Sequence, residues 1–189
     1  MTRKEQIHQT AKELFRDKGY VGSSMRDLAQ RVGIEASSLY NHFKSKEALL
    51  QNICFDLADQ FMEAIQEVND EKYDSASDWL KHAMKNHLKV VTNNLEASAV
   101  FLNEWRFLTG EAMDKYLLFR KDYSKMYKTA LKNGVQKGEF RETLNPNLTA
   151  INILSTMNWT SNWYDPNGKE TVKEISKQFY KLLIRGVKA

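Results

Sequence analysis

The feature that most constrains the fold is the segment from residue 24 to residue 50, in which two short amphipathic stretches meet at a glycine. An amphipathic run from Ile7 to Phe15 precedes this segment. Ser24 and Asp27 have the spacing of a capping box, which marks a helix start, and Gly33 marks a helix end. Two helices joined in this way form a helix-turn-helix, whose second helix fits the major groove of DNA. The segment therefore predicts both a helical fold and contact with DNA.

Helical periodicity continues along the rest of the chain. Apolar residues recur at helical spacing almost throughout, whereas alternating strand patterns bounded by turn residues are missing. The only two prolines lie at Asn145-Pro146, a favourable helix start, and at Asp165-Pro166, which begins a turn. We therefore predict an all-α protein of about nine helices, the first three forming the helix-turn-helix unit.

The predicted helix bounds follow from the apolar spacing and from the capping residues. The third helix is expected over Ala36 to Phe43, with Leu39 and Phe43 buried. Ser45 caps a fourth helix that reaches Ile65, and residues 69–77 form a polar break. The remaining predicted helices span Ser77 to Thr92, Leu95 to Leu108, Met113 to Lys132, Asn145 to Tyr164, and a last helix that Thr171 and Glu174 cap and that buries Ile175, Phe179 and Leu182.

Composition narrows the possible environment of the chain. With 42% hydrophobic residues, the chain has enough apolar content for a core. No long apolar run and no charged leader are present, so we expect a cytoplasmic protein without a membrane span. Cys54 is the one cysteine, which excludes an internal disulfide and a cysteine-rich metal site and favours a plain buried position.

Basic charge is concentrated near the N-terminus. The net charge is +4, and residues 1–50 alone carry nine Lys and Arg against six Asp and Glu. A basic first quarter is typical of a protein that binds the phosphate backbone, although ordinary solvated surfaces reach the same excess.

The side chains of the helix-turn-helix divide into two groups by chemistry. Cationic and capping groups suit phosphates, and small or amide groups suit base edges. Phosphate contacts are predicted for Ser24, Arg26, Tyr40 and Lys46, base contacts for Ser37, Ser38 and Asn41, and either role for His42. Three simpler interpretations stay open: Ser24 is only a cap, Arg26 and Asp27 form a solvated pair, and Tyr40 lies at the rim of the core.

Two runs, AKELFRDKGY and SMRDLAQRVGIEASSLYNHFKSKEALL, resemble the N-terminal DNA-binding domain of TetR-family transcriptional repressors. The matching positions are Ala11, Phe15, Gly19, Tyr20, Arg26, Leu28, Ala29, Gly33, Leu39, Tyr40, Phe43, Lys46, Leu49 and Leu50. Met25 and Glu35 depart from the family pattern. The resemblance implies that the eight predicted contact residues lie at or near DNA, with a DNA-binding domain over residues 1–48 and a helical effector-binding and dimerisation domain over residues 49–189.

The C-terminal part also resembles this family. Residues 136–148 are similar to a segment that precedes the last two helices, which form a four-helix dimer interface in the family. Residues 103–108 and 158–176 resemble the branch that regulates fatty-acid or sterol breakdown and senses acyl-CoA thioesters. The resemblance implies a homodimer on a double-stranded, palindromic operator, released by an acyl-CoA or fatty acid, with interface residues Ile151, Leu154, Trp159, Phe179 and Leu182.

Aromatic and methionine side chains on the middle helices predict an apolar effector pocket. The candidate lining residues are Trp79, Phe101, Trp105, Phe119, Tyr123, Tyr127 and Met157. Aromatic residues at helical spacing also form solid core, so both interpretations stay open for each residue.

Two other function classes compete with a ligand-responsive regulator. His82 and His87 are five residues apart, which is off the spacing for a shared metal, and Asp78 with His82 is typical of a surface contact. No phosphate loop, nucleophile elbow or Cys/His cluster appears, so we predict no enzyme activity, no cofactor and no metal. A ligand-independent architectural DNA-binding protein would have no cavity in the C-terminal two thirds.

Overall fold

The chain forms an all-helical structure, seen in a computed structural model that describes residues 1–71 and 73–187. Within these ranges nine α-helices and two short 3-10 helices occur and no β-strand does, which confirms the predicted fold class. The α-helices are α1 (Arg3–Lys18), α2 (Met25–Val32), α3 (Ala36–Tyr40), α4 (Lys46–Asp70), α5 (Ala76–Asn93), α6 (Leu95–Asn103), α7 (Gly110–Gln136), α8 (Pro146–Trp159) and α9 (Val172–Val187). The 3-10 helices are Trp105–Phe107 and Thr160–Asn162.

Packing divides the chain into two compact units. The first unit contains Met1–Ala58 and Asn94–Leu117, and the second contains Asp59–Asn93 and Leu118–Ala189. The division of function at residues 48 and 49 stays a prediction. None of the helices in the described ranges is long and apolar enough to cross a bilayer.

The core of the first unit forms where α1 packs on α2 and α6. The predicted apolar faces of α1 and α2 are buried, as are both anchors of the third helix. Cys54 on α4 is fully buried, and this burial raises the pKa of its thiol to about 12, so the thiol is unreactive at neutral pH. The buried apolar side chains of α1 to α3 and the turn after α3 are Ile7, Ala11, Leu14, Phe15, Leu28, Ala29, Val32, Leu39 and Phe43.

The second unit is built around α5, which packs against α8 and α9. The polar break at residues 69–77 lies between α4 and α5, and Lys72 within it is outside the described residues. Ile175 is buried as predicted, but Leu182 is 69% exposed and Phe179 is half-buried. The predicted burial of Leu182 was therefore wrong, because α9 turns that side chain away from α5 and the rest of the chain.

Several helix ends differ from the predicted bounds. The helix from Leu95 stops at Asn103 rather than Leu108, and α8 stops at Trp159 rather than Tyr164. A 3-10 helix follows each of them. A 3-10 helix is wound more tightly than an α-helix and commonly follows its C-terminus. Over three residues the apolar spacing of the two helix types is similar, so the sequence pattern does not show where the α-helix ends.

Candidate nucleic-acid interface and ligand cavity

The N-terminus of α2 is fixed by the predicted capping box. The Ser24 hydroxyl accepts a hydrogen bond from the Asp27 backbone N–H at 3.1 Å, and the Asp27 carboxylate accepts from the Ser24 N–H at 2.9 Å. Hydrogen bonding from Ser24, supported by Lys18, lowers the pKa of Asp27. At the other end, Gly33 adopts the left-handed conformation expected of a C-terminal cap, with φ 75°. Ser24 is exposed and acts as a cap, while its phosphate contact stays a prediction.

The second helix of the helix-turn-helix is short and presents free polar side chains. It ends at Tyr40 rather than Phe43, and a further turn follows in which the N–H groups of His42 and Phe43 both donate to the Leu39 carbonyl. Glu35 gives no side-chain cap, which fits its departure from the family pattern. Five of the predicted contact residues lie on this helix and turn: Ser37, Ser38, Tyr40, Asn41 and His42. Ser38 is half-exposed and the other four are exposed. None of the five makes a side-chain hydrogen bond with the described residues.

Lys46 occupies a different environment from the other predicted contacts. Its ammonium group donates to the backbone carbonyls of Tyr20 and Ser23, both at 2.8 Å, and lies 4.2 Å from the centroid of the Tyr20 ring. Partial burial lowers the pKa of Lys46. Lys46 therefore ties the loop between α1 and α2 to the start of α4, and one N–H donor remains for a phosphate.

Arg26 is available to an external anion. It is exposed and forms no ion pair with the described residues. Three other N-terminal cations are paired with carboxylates: Arg16 with Glu96, Lys18 with Asp27, and Arg31 with Asp17. Arg26 thus differs from these three in keeping its charge available for a phosphate.

Two residues that support the α1–α2 loop were missed by the sequence analysis. The Glu104 carboxylate accepts a hydrogen bond from the Tyr20 N–H at 3.1 Å, and the Phe107 ring stacks on Tyr20 at a centroid distance of 5.4 Å. Both follow α6, more than 80 residues further along the chain. Helical periodicity gives no signal for such a contact between remote segments, so only packing reveals it.

The second unit contains an open cavity of about 990 Å³. Its wall comes from the second half of α4, residues 71 and 73–75, the start of α5, and the second half of α7 with the residue that follows it. Apolar and polar groups share this wall, and its two lysines are Lys125 and Lys137. The other lining residues are Met62, Asn69, Glu71, Tyr73, Asp74, Ser75, Ala76, Trp79, Asp122, Met126, Thr129, Ala130 and Asn133.

One of the seven predicted pocket residues, Trp79, lies on the wall of this cavity. Phe101 and Trp105 instead pack on Tyr116 within the first unit, at centroid distances of 4.9 and 5.3 Å. The other four occupy the second unit, where Phe119 stacks on Tyr123, and Tyr123, Tyr127 and Met157 are buried. A ligand-binding role for these six residues stays a prediction.

A buried polar cluster lies behind the cavity wall. His87 is 2% exposed, with Nδ1 3.0 Å from the Tyr123 hydroxyl and Nε2 3.1 Å from Asn158 Oδ1. Burial lowers the pKa of His87 to about 4, so the imidazole is neutral at pH 7. The Tyr127 side chain is fully buried, and this burial, together with the neighbouring Tyr123 hydroxyl, raises the pKa of the Tyr127 hydroxyl.

The spacing of Asp78 and His82, which was considered above for a metal site, corresponds to other contacts in the structure. His82 Nδ1 lies 2.9 Å from the Asp78 backbone carbonyl rather than its carboxylate, and the imidazole stacks on Tyr73 at 4.6 Å. Within the described ranges, no three His, Cys, Asp or Glu side chains lie close enough together to hold a metal ion.

The last two helices present apolar side chains to the surface. Three of the five predicted interface residues are strongly exposed: Ile151 at 47%, Trp159 at 65% and Leu182 at 69%. Leu154 and Phe179 are half-buried. Leu148 and Trp163, which the sequence analysis left out, are also exposed, so the apolar surface is larger than predicted. On α8, residues 148, 151 and 159 follow the spacing of a single helix face.

Comparison with known proteins gives matches over nearly the whole chain. A family model described as "Bacterial regulatory proteins, tetR family" matches residues 7–53, and one described as "Tetracyclin repressor-like, C-terminal domain" matches residues 73–187. The chain is 27% identical over 188 residues to the HTH-type transcriptional repressor KstR2 of Mycolicibacterium smegmatis, across 98% of this chain and 91% of the relative.

Two further matches share the full-length organisation. The fatty acid metabolism regulator protein of Bacillus subtilis is 26% identical over 183 residues, across 96% of this chain and 94% of the relative. The crystal structure of AibR in complex with isovaleryl coenzyme A and operator DNA is 28% identical, with a TM-score of 0.84 over 97% of this chain and 98% of that one.

Proposed function

This chain belongs to the TetR family of bacterial transcriptional regulators, and we propose that it is a repressor that binds a palindromic operator as a homodimer and is released by an acyl-CoA thioester. The observation that carries the DNA-binding part is the short helix α3 and its following turn, which expose Ser37, Tyr40, Asn41 and His42 without internal side-chain bonds. Side chains of this size and polarity reach base edges and phosphates in a major groove.

A homodimer accounts for the exposed apolar side chains of α8 and α9. A single chain leaves Trp159 and Leu182 about two thirds exposed, and burying such side chains is favourable. A two-fold dimer would present two copies of α3 to successive major grooves and so would read a palindrome.

The effector assignment rests on the cavity of the second unit together with its relatives. A volume of about 990 Å³ suits a ligand of considerable size, and Trp79, Met62 and Met126 supply an apolar wall for an acyl chain. Lys125 and Lys137 on the same wall would meet the phosphates of coenzyme A. AibR binds isovaleryl coenzyme A, which supports a thioester over other apolar ligands.

Release follows from linkage between the two binding events. If the effector favours a conformation whose recognition helices no longer fit the two half-sites, it lowers operator affinity by the same factor by which the operator lowers effector affinity. The ligand-independent alternative requires a solid core in the second unit, and the cavity argues against it.

The DNA-binding assignment predicts distinct effects for three substitutions, measured by fluorescence anisotropy on operators selected from a genomic DNA pool. Tyr40→Ala and Lys46→Ala should weaken binding to all sequences, by about fivefold or more each, through lost phosphate contacts. Lys46→Ala should also lower Tm, because two loop carbonyls lose their donor. Asn41→Ala should mainly relax preference at one base pair, at a cost of about 1–3 kcal/mol.

Lys132→Ala is the matched control for this experiment, because it removes an exposed lysine from α7 in the second unit. Its operator affinity should equal that of the wild type. Mass photometry of the complex should show an even number of chains on each palindrome. Unchanged operator binding in all three variants of the helix-turn-helix would contradict the assignment.

The effector assignment predicts that a saturating acyl-CoA raises Tm by about 5 °C or more and releases the operator. The double variant Lys125→Gln with Lys137→Gln should bind acyl-CoA about five- to tenfold more weakly, because exposed charged hydrogen bonds to phosphate are lost. Its affinity for an acyl N-acetylcysteamine thioester, which has no phosphate, should stay unchanged. Lys132→Gln is the control, and absence of any thermal shift with acyl-CoA thioesters or fatty acids would refute the assignment.

A further inference from the structure

The predicted phosphate contacts contain few cations. Arg26 and Lys46 are the two cationic residues among them, and the Lys46 ammonium group gives two of its three N–H donors to the carbonyls of Tyr20 and Ser23. Affinity for DNA depends strongly on lysine and arginine side chains that neutralise phosphates. Further cations close to α3 are therefore candidates for the same role.

Lys4, near the start of α1, lies beside the turn that follows α3. Its ammonium nitrogen is 5.8 Å from the centroid of the buried Phe43 ring, and Phe43 directly follows the predicted contacts Asn41 and His42. The imidazole of His8, one turn further along α1, stacks on the same ring at 6.3 Å and 16°. The start of α1 therefore packs on the C-terminal end of the recognition helix.

No neighbouring carboxylate uses the charge of Lys4. Lys4 is exposed and forms no ion pair with the residues that the structure describes. The Glu5 carboxylate accepts a hydrogen bond from the Thr2 N–H at 2.7 Å, and the Asp56 carboxylate faces His8, at 3.6 Å from Nε2. Lys4 thus keeps an ammonium group that is available to an external anion.

Lys44 supplies a second cation at the same place. It follows Phe43 in the chain, is exposed, and has no ion-pair partner within residues 1–71 and 73–187. Arg3 is also close in sequence to Lys4, but its guanidinium group donates to Gln6 Oε1 at 2.7 Å. Lys4 and Lys44 are therefore the available cations on the two chain segments that meet at Phe43.

We propose that Lys4 and Lys44 form a phosphate-binding site at the C-terminal end of α3 and hold the DNA backbone beside the half-site that α3 reads. This inference rests on the proposed DNA-binding function and adds α1 to the surface that contacts DNA. A DNA phosphate is the expected anion because the site adjoins Asn41 and His42, whose side chains are predicted to reach the DNA. The contact fixes position without reading sequence, since an ammonium group binds phosphate as a point charge.

The test measures operator affinity by fluorescence anisotropy between about 0.05 and 0.3 M salt, on an operator selected from a genomic DNA pool. Lys4→Met keeps an apolar stem over the Phe43 ring and removes the charge. Each phosphate contact adds about 0.9 to the slope of log Kd against log salt concentration, so the loss of two contacts per homodimer should lower the slope by about 1.8. Lys44→Met should have the same effect, and the double variant should lower the slope by about 3.6.

Two variants and one modified operator test whether the effect belongs to this site. Lys4→Arg keeps the charge and should keep the wild-type slope. Lys12→Met is the matched control: Lys12 is half-exposed two turns further along α1, so its removal should leave the slope unchanged. An operator with one neutral methylphosphonate at the contacted position should bind the wild type about threefold or more weakly, whereas Lys4→Met should bind it as well as the unmodified operator.

The outcomes separate this inference from the function on which it rests. An unchanged slope in Lys4→Met or in Lys44→Met, or an equal loss in Lys12→Met, would overturn the site and leave the DNA-binding assignment standing. A reduced Tm of Lys4→Met with wild-type operator affinity would show that Lys4 only covers Phe43, which also overturns the site. Failure of the wild type to bind any selected operator would overturn both.

Discussion

Replacing Gly22 by alanine is expected to abolish operator binding and to lower Tm by about 5 °C. A Cβ atom at this position would lie 2.4 Å from the backbone carbonyl oxygen of Lys18, well inside contact distance. Because the obstructing atom belongs to the backbone of α1, the loop between α1 and α2 must move, at a cost of about 1–3 kcal/mol. That loop supplies the carbonyls that hold Lys46 and leads directly into Ser24, the cap of α2. A shifted loop therefore displaces the phosphate-binding side of the helix-turn-helix.

Gly138→Ala provides a control that separates lost stability from lost DNA binding. Gly138 has φ 72°, and a Cβ atom there would have no other atom within 4 Å, so alanine is strained by about 1 kcal/mol without a clash. This variant should unfold at a lower temperature than the wild type and bind the operator normally. Affinity is measured by fluorescence anisotropy at about 20 °C or below, where all variants are folded. Wild-type operator affinity of Gly22→Ala would show that the close approach of the loop to α1 is unnecessary.

Helix starts that carry a capping motif were predicted well because their signals are local, whereas α7 begins at Gly110 rather than at the predicted Met113. The capping box of Ser24 with Asp27 forms as expected, and Thr171 with Glu174 forms a second one, with N–H to oxygen distances of 2.9 and 3.2 Å. Asn145 likewise caps α8 ahead of Pro146. In each case the residues that satisfy the free N–H groups are within three positions of each other, so the sequence alone contains the interaction.

Helix ends were predicted less well because remote contacts determine them. The helix from Leu95 ends where Glu104 turns its carboxylate to the N–H of Tyr20, a partner in another segment. The end of α8 is followed by a 3-10 turn that buries Thr160 completely. No local motif distinguishes these residues from the continuing helix that periodicity favours.

The two candidate sites also differ in how far local sequence determines them: local geometry sets the exposed face of α3, whereas packing between remote segments sets the cavity. The outward side chains of α3 follow from helix geometry, since Leu39 and Phe43 must point inward and the residues between them cannot. The cavity depends instead on where four segments fail to fill the space between them, and periodicity identifies apolar faces without locating such gaps. Lys125 and Lys137 were therefore missed, and Trp79 was grouped with six residues that do not line this cavity.

Acid is expected to destabilise the protein through His87. Burial lowers the pKa of this imidazole from 6.5 to about 4, since the rings of Phe61 and Tyr123 enclose it, and the opposing effect of the hydrogen bond with Asn158 is smaller. Between these two values the unfolded chain binds a proton that the folded chain excludes, so the free energy of unfolding falls as the pH falls. The contribution is complete above about pH 6.5, and about 2 kcal/mol of it is lost by pH 5.

The measurement is urea unfolding between about pH 5 and pH 7, a range above the titration of most carboxylates. His87→Gln should be less stable than the wild type at pH 7, because the Tyr123 hydroxyl and Asn158 lose their partner, yet its stability should depend less on pH. The pKa of His8 is also lowered, chiefly by burial, so His8 adds a slope of the same sign. The double variant His8→Gln with His87→Gln should therefore be the flattest, with His8→Gln alone between it and the wild type. Equal slopes in the wild type and in His87→Gln would mean that the imidazole accepts a proton as readily in the folded chain as in the unfolded one, which its enclosure among aromatic rings argues against.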